Sequence, residues 1–123
     1  LVKDGGCLLT LSYYGAQKVV EHYNMMGPVK AALESSMREL ASELGERKIR
    51  VNALSPGAVA TRAASGIAHF DALLEQTKQK SPEYELIGID CVGAYARFLV
   101  SDEARLVTGS IVYIDAGYNI MAT

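Results

Sequence analysis

Val51-Asn52-Ala53-Leu54-Ser55-Pro56-Gly57 decides the fold. Ile49 to Leu54 is a short apolar strand, and Ser55-Pro56-Gly57 ends it, because proline lacks the N–H that a ladder requires. Working back toward the amino terminus, Leu33, Met37, Leu40, Ala41 and Leu44 fall at i, i+4, i+7, i+8 and i+11, one apolar stripe on a long helix. Asn24 is its expected N-cap, and Gly45 stands where a left-handed residue would stop it. Before that helix, Cys7-Leu8-Leu9-Thr10-Leu11-Ser12-Tyr13 follows Asp4-Gly5-Gly6 and is too continuous for a strand with one wet face, so it reads as a buried parallel strand. Strand, helix and strand in this order make a βαβ crossover.

Working forward, residues 58–82 are less regular. Phe70, Leu73 and Leu74 stand at i, i+3 and i+4, and the polar Gln76–Ser81 stretch precedes Pro82, which predicts a short helical lid with a mobile flank. Asp90 is the expected cap of a second full helix with Val92, Ala96, Phe98, Leu99 and Val100 at its apolar positions. Thr108-Gly109 then leads into a third buried strand, Ser110–Ile114, ended by Ala116-Gly117. The expected fold class is therefore α/β: about three parallel strands with flanking helices, half of a Rossmann-like doubly wound sheet, because parallel strands need neighbours reached through crossovers.

The 123 residues suffice for one domain or part of one. Half the residues are apolar and 21% are charged, which gives no compositional case for disorder. Twelve basic and 14 acidic residues sum to −2, without the cationic field that phosphate-backbone binding needs, so a nucleic-acid module is not expected. Apolar runs such as Ile111–Ile114 fall far short of the roughly 20 residues that span a bilayer, and no secretory leader pattern opens the chain. A cytoplasmic protein without a membrane partner is the expectation. Cys7 and Cys91 show no CxxC and no histidine at ligand spacing, so no metal site and no disulfide framework is expected; both read as buried thiols.

Tyr23 and Lys30 are seven apart, two helical turns, so on one helix they would share a face with Cα atoms about 10 Å apart. A phenol there can donate to an oxygen gaining negative charge while the ammonium holds a cofactor hydroxyl. Spacing alone leaves open a surface lysine beside an interfacial tyrosine. Context comes from Val51–Gly57 followed by Thr61, because a Pro-Gly turn at the carboxyl end of a parallel strand opens backbone groups into the crevice where such sheets bind ligands.

With Thr108-Gly109 and Ile114-Asp115-Ala116-Gly117, the chain resembles the short-chain dehydrogenase/reductase superfamily, although Ala116 stands where glycine is commoner. Its usual Tyr-x3-Lys pair has one match, Tyr14-Gly15-Ala16-Gln17-Lys18. That match directly follows the first strand, and a helix begun there would have to run through Gly27 and Pro28, so it is rejected. Leu11-Ser12-Tyr13-Tyr14-Gly15-Ala16 with Tyr23-Asn24-Met25-Met26-Gly27-Pro28-Val29-Lys30 is instead similar to the Tyr-x6-Lys arrangement of the NADH-dependent enoyl-[acyl-carrier-protein] reductases. Thr61-Arg62-Ala63-Ala64-Ser65-Gly66-Ile67, running into Phe70, resembles that family's substrate-binding loop, and the similarity spans nearly the whole chain.

The resemblance implies NADH as cofactor, an enoyl thioester of acyl carrier protein as substrate, and a homotetramer. Tyr23 would donate to the thioester carbonyl as it becomes an enolate, Lys30 would hold the nicotinamide ribose, and Tyr13 would be the second active-site tyrosine. Pro56, Gly57, Val59 and Thr61 would lie against the cofactor, and Ala63, Ile67 and Phe70 would line the acyl pocket, though Ile67 and Phe70 read equally well as ordinary core. His22 and His69 read as solvated loop residues. The Gly-rich strand-to-helix turn that receives a dinucleotide pyrophosphate does not occur in these 123 residues, so the chain matches the C-terminal half of such a domain. Pro28 is at ease only in a first helical turn, so either the helix starts late, with Tyr23 before it, or its first turn is distorted. A non-catalytic interaction fragment and a reductase of carbonyl groups are the alternatives; Tyr-x6-Lys and Tyr13 argue against the second.

Overall fold

Strands β1 (Cys7–Leu11), β2 (Arg50–Pro56) and β3 (Ile111–Ile114) pair in parallel in that order, with Leu11 opposite Leu54 and Ser55 opposite Tyr113. These coordinates are a computed structural model that describes residues 2–62 and 64–122. Helix α1 (Met26–Leu44) connects β1 to β2; α2 (Phe70–Lys80) and α3 (Ile89–Val100) lie between β2 and β3. The parallel sheet with helices between its strands bears out the α/β, Rossmann-like expectation.

Successive strand residues face opposite sides, and here both sides are covered. Val51 and Ala53 meet Met37 and Ala41 of α1, with Leu8 and Ile111 at the margins. Leu54 points the other way, against Leu99 of α3 and Ala104, with Leu9, Val112 and Ile114 around it. Full burial of a leucine such as Leu54 or Leu99 contributes about 1.5–3 kcal/mol, so central strand β2 can read as apolar at adjacent positions. At the edge, β1 is only half-buried and Leu11 is exposed.

Polar groups fix the connections around this core. Asn52, fully buried, donates from Nδ2 to the Val107 carbonyl at 2.9 Å and accepts the Ser110 N–H at 3.0 Å, which pins the approach to β3. Thr108 Oγ1 accepts the Val51 N–H at 3.0 Å, and the Gly109 N–H donates to the Val51 carbonyl. Arg50, also buried, donates to the carbonyls of Leu99 and Ser101, placing a cation at the negative end of α3.

Several boundaries differ from expectation for identifiable reasons. The helix starts at Met26 with no side-chain cap, and Asn24 instead takes a left-handed turn conformation at φ 53°. Gly45 is right-handed; a 3₁₀ turn, Gly45–Arg47, tightens the end and Lys48 supplies the left-handed stop. Gln76 to Lys80 is helix rather than a mobile flank, because Thr77 and Ser81 are buried and their hydroxyls bond back to the Leu73 and Thr77 carbonyls. Gly88, not Asp90, precedes α3, and Asp90 sits within the first turn. Cys7 is half-buried, but Cys91 lies on the solvent side of α3 and is exposed.

Replacing Asn52 by alanine strands the Val107 carbonyl and the Ser110 N–H, each worth roughly 1–3 kcal/mol when buried and unsatisfied. Chemical denaturation of the protein should show a loss of that order; unchanged stability would mean that the 107–110 loop holds itself.

Candidate active site

The site grows from the carboxyl end of β1. The Ser12 N–H donates to the Leu54 carbonyl at 2.7 Å, one rung beyond the strand proper. Tyr13 is extended, at φ −152° and ψ 155°, so adjacent side chains diverge. Ser12 turns to α1, where its hydroxyl donates to Glu34 Oε1 at 2.7 Å, and Tyr13 turns into a cleft of about 440 Å³. A 3₁₀ turn, Tyr14–Ala16, follows. The rejected pair, Tyr14 and Lys18, lies outside any α-helix, with Tyr14 buried.

Tyr23 is delivered by a turn and not by the helix. The Tyr23 N–H donates to the Val20 carbonyl, and the N–H groups of Met26 and Gly27 donate to the carbonyls of Tyr23 and Asn24. Pro28 falls in the first turn of α1, where its missing N–H is harmless. Of the two outcomes that proline allowed, the late start holds, so helical periodicity does not set the Tyr23–Lys30 geometry. Packing sets it: a Cβ on Gly15 would stand 2.5 Å from Tyr23 Cδ2, and one on Gly27 would stand 3.0 Å from the Gly15 carbonyl oxygen. A side chain at Gly15 would displace the Tyr23 ring, and one at Gly27 would press the Gly15 carbonyl back by a few tenths of an ångström.

Tyr13 and Tyr23 meet edge to face, with ring centroids 5.0 Å apart and planes inclined at 61°. Both line the cleft with Lys30, whose ammonium donates to the Leu11 carbonyl at 3.0 Å. Among the described residues no carboxylate lies within ion-pair distance of that ammonium. Pro56, Gly57, Val59, Thr61, Ile67 and Phe70 line the same cleft, so the structure gathers every described residue that the sequence nominated; Ala63 lies outside the described residues. Thr61 Oγ1 accepts the Ala64 N–H at 3.1 Å, which leaves its own proton to donate. The Gly57 N–H is turned away to the Ile114 carbonyl.

Burial raises the pKa of the Tyr23 phenol and, more strongly, that of Tyr13, to which Tyr118 and Tyr23 add by repulsion. Both phenols therefore remain neutral hydrogen-bond donors well into alkaline solution. His22 and His69 are exposed, as expected, yet their rings lie against each other at 4.6 Å between centroids and join the turn before Tyr23 to the start of α2. Glu34 and Ser12 were missed in the sequence. The available signal was a carboxylate inside the helical stripe, since Glu34, Met37 and Ala41 are the buried residues of α1.

A cleft at the carboxyl edge of a parallel sheet, holding two apposed phenols and a lysine, defines a Rossmann-like α/β site. The family model described as enoyl-(acyl carrier protein) reductase matches residues 1–119, and the chain belongs to that family. It is 49% identical over 119 residues to an NADH enoyl-[acyl-carrier-protein] reductase of Rhizobium meliloti, covering 97% of this chain and 44% of that protein. With the corresponding protein of Rickettsia typhi it shares 46% identity over 123 residues, covering 100% of this chain and 47% of the relative. The crystal structure of the enoyl-[acyl-carrier-protein] reductase (NADH) of Aquifex aeolicus superposes with a TM-score of 0.93 at 50% identity, over 97% of this chain and 46% of that one. The Anaplasma phagocytophilum reductase in complex with NAD superposes at 0.90 with 45% identity, over 98% and 44% of the two chains. The chain thus spans about half the length of the curated relatives it matches, corresponding to their C-terminal part.

Tyr13, Tyr14, Tyr23 and Tyr113 each ionise at higher pH folded than unfolded, chiefly because burial disfavours the phenolate. Their stabilising effect is complete below the ordinary phenol pKa of 10.0 and is lost as pH rises above it. An alkaline titration should show their tyrosinate absorbance emerging together with loss of helical circular dichroism. Ionisation of all four near pH 10.0 with the helix signal intact would contradict the burial that places them.

Proposed function

We propose that the protein carrying this chain reduces the carbon–carbon double bond of enoyl thioesters on acyl carrier protein, using NADH. The observation that carries the reading is the convergence of Tyr13, Tyr23 and Lys30 on one cleft in a chain that belongs to the enoyl-(acyl carrier protein) reductase family. NADH, when bound, would supply the hydride that reaches the β-carbon of the enoyl chain, and a proton taken up from solvent at the α-carbon completes the reduction. Tyr23 donates its phenolic proton in a hydrogen bond to the thioester oxygen, and that bond strengthens as the oxygen takes on enolate charge. Tyr13, packed on the Tyr23 ring, orients the thioester beside it.

The residues present fit the nicotinamide half of the cofactor. Lys30 has two N–H groups beyond the one bonded to Leu11, suited to ribose hydroxyls. Among the described residues, neither the N–H nor the carbonyl of Val59 has a protein partner, which suits a carboxamide, a group that both donates and accepts. Thr61 contributes its spare hydroxyl proton at the same edge, and Pro56 and Gly57 complete the surface beside it. Ile67 and Phe70, both half-buried, give the acyl chain an apolar lining that excludes water.

The assembly in this reading is a homotetramer in the cytoplasm. Exposed Tyr95 and Phe98, three apart on α3 with rings in edge contact, offer an apolar patch for association. No helix among the described residues is long and apolar enough to cross a membrane.

In the protein that joins this chain to an amino-terminal half like that of its relatives, Tyr23→Phe should lower kcat with an enoyl thioester by roughly 10²-fold, the loss typical of one preorganised donor, and leave NADH affinity unchanged. Lys30→Ala should weaken NADH binding about tenfold or more, as loss of a charge-assisted hydrogen bond does. Steady-state kinetics and NADH fluorescence titration read the two. Full turnover in the first variant with enoyl substrates, or faster reduction of 3-oxoacyl than of enoyl thioesters by the unaltered protein, would refute the assignment.

A further inference from the structure

We propose that Glu34 is a positioning residue for this site, fixing the Ser12–Tyr13 corner through the hydrogen bond that it accepts from the Ser12 hydroxyl. The proposal rests on the reductase reading above. Glu34 is 4% exposed, inside the apolar stripe of α1, and no cation among the described residues lies within ion-pair distance. A buried carboxylate is expensive unless hydrogen bonds compensate it. Its neighbours on the stripe, Met37 and Ala41, show that an apolar residue serves simple packing there.

What the carboxylate does instead follows from where it stands. Lys30 and Glu34 are four apart on α1, one above the other, about 6 Å along the axis. They take hold of consecutive residues: Lys30 the Leu11 carbonyl at 3.0 Å, and Glu34 the Ser12 hydroxyl at 2.7 Å. The next residue is Tyr13, in edge contact with Tyr23. The α1 side of the sheet is polar at this level, and it is not fully satisfied. Ser55 and Tyr113 are paired in register, and Ser55 Oγ and the Tyr113 hydroxyl are buried without a partner among the described residues. Without Glu34, the Ser12 hydroxyl would join them, and the corner would keep only backbone bonds, the Ser12 N–H to the Leu54 carbonyl and the Ala16 N–H to the Tyr13 carbonyl. A shift there moves the Tyr13 phenol and the carbonyl that anchors Lys30 together, and a displacement of about 1 Å can cost 10²-fold in rate.

In the intact protein, Glu34→Ala should reduce kcat/KM for an enoyl thioester roughly 10- to 100-fold. Glu34→Gln, whose amide oxygen still accepts from Ser12, should recover most of it. Ser12→Ala should match the Glu34→Ala loss, and the double variant should lose no more than either single one, because both remove the same bond. Should Glu34→Ala not fold, Ser12→Ala carries the test. Wild-type kinetics in Glu34→Ala or Ser12→Ala, or losses that multiply in the double variant, would overturn the proposal. Tyr23→Phe assayed beside them separates the two ideas: a crippled Tyr23→Phe with a normal Glu34→Ala rejects the positioning role alone, whereas a normal Tyr23→Phe rejects the reductase reading. A readout independent of turnover is the ¹⁹F resonance of fluorotyrosine at position 13. It should move in Glu34→Ala and return in Glu34→Gln; an unmoved resonance counts against the proposal.

Discussion

One hydrogen bond carries the architecture of the cleft: the Ser12 N–H donating to the Leu54 carbonyl at 2.7 Å. It is the last rung between β1 and β2, and beyond it the two chains part, one into the Tyr13 corner and the other into Ser55-Pro56-Gly57. Proline makes the parting on β2 irreversible, since it has no N–H to offer. Every group of the candidate site is placed relative to that fork. The Leu11 carbonyl before it receives Lys30, the Ser12 hydroxyl at it receives Glu34's hold, and Tyr13 after it meets Tyr23.

Stability and chemistry occupy different levels of the same sheet. Toward the amino ends of the strands, Leu8, Val51, Ala53 and Ile111 bury themselves against α1. At the carboxyl ends the same side carries Ser12, Ser55 and Tyr113, two of them with buried oxygens that lack partners. The apolar level supplies the free energy that tolerates the polar one. Tertiary packing also holds the Tyr23 turn, in which Tyr23 rests on Gly15 and Gly27 closes on the Gly15 carbonyl.

The fold was legible in the sequence because its signals are local. The apolar runs at Cys7–Tyr13 and Ile49–Leu54, the stripe through Met37 and Ala41, and the Pro56-Gly57 stop each report their own element. Residues near the cleft could be nominated from the Tyr-x6-Lys spacing and the loop after Thr61, while Pro28 left open whether Tyr23 lies on the helix or, as it does, before it. Asn24 adopts a left-handed turn, a choice made by the stack of turns leading into Met26, which spacing does not encode. At the other end Lys48 took the role expected of Gly45 for a similar reason: a 3₁₀ turn consumed the glycine before the left-handed residue was needed. Contacts between distant segments were the least visible. The His22–His69 pair and the Ser12–Glu34 bond join residues 47 and 22 positions apart, and neither leaves a periodic trace.

The parallel register of β1 and β2 also acts as a ruler. Leu11 opposite Leu54 places the lysine's carbonyl anchor at one mark and Pro56 two residues past the other, with strands advancing about 3.3 Å per residue. A single inserted or deleted residue between Asn52 and Pro56 would move the mouth of the cleft by that step and turn Ala53 and Leu54 to each other's faces. Asn52 and Leu54, both buried, resist such slippage. Length variation in this protein is therefore expected in the loops around α2, and the five residues from Asn52 to Pro56 form a stretch whose count cannot drift.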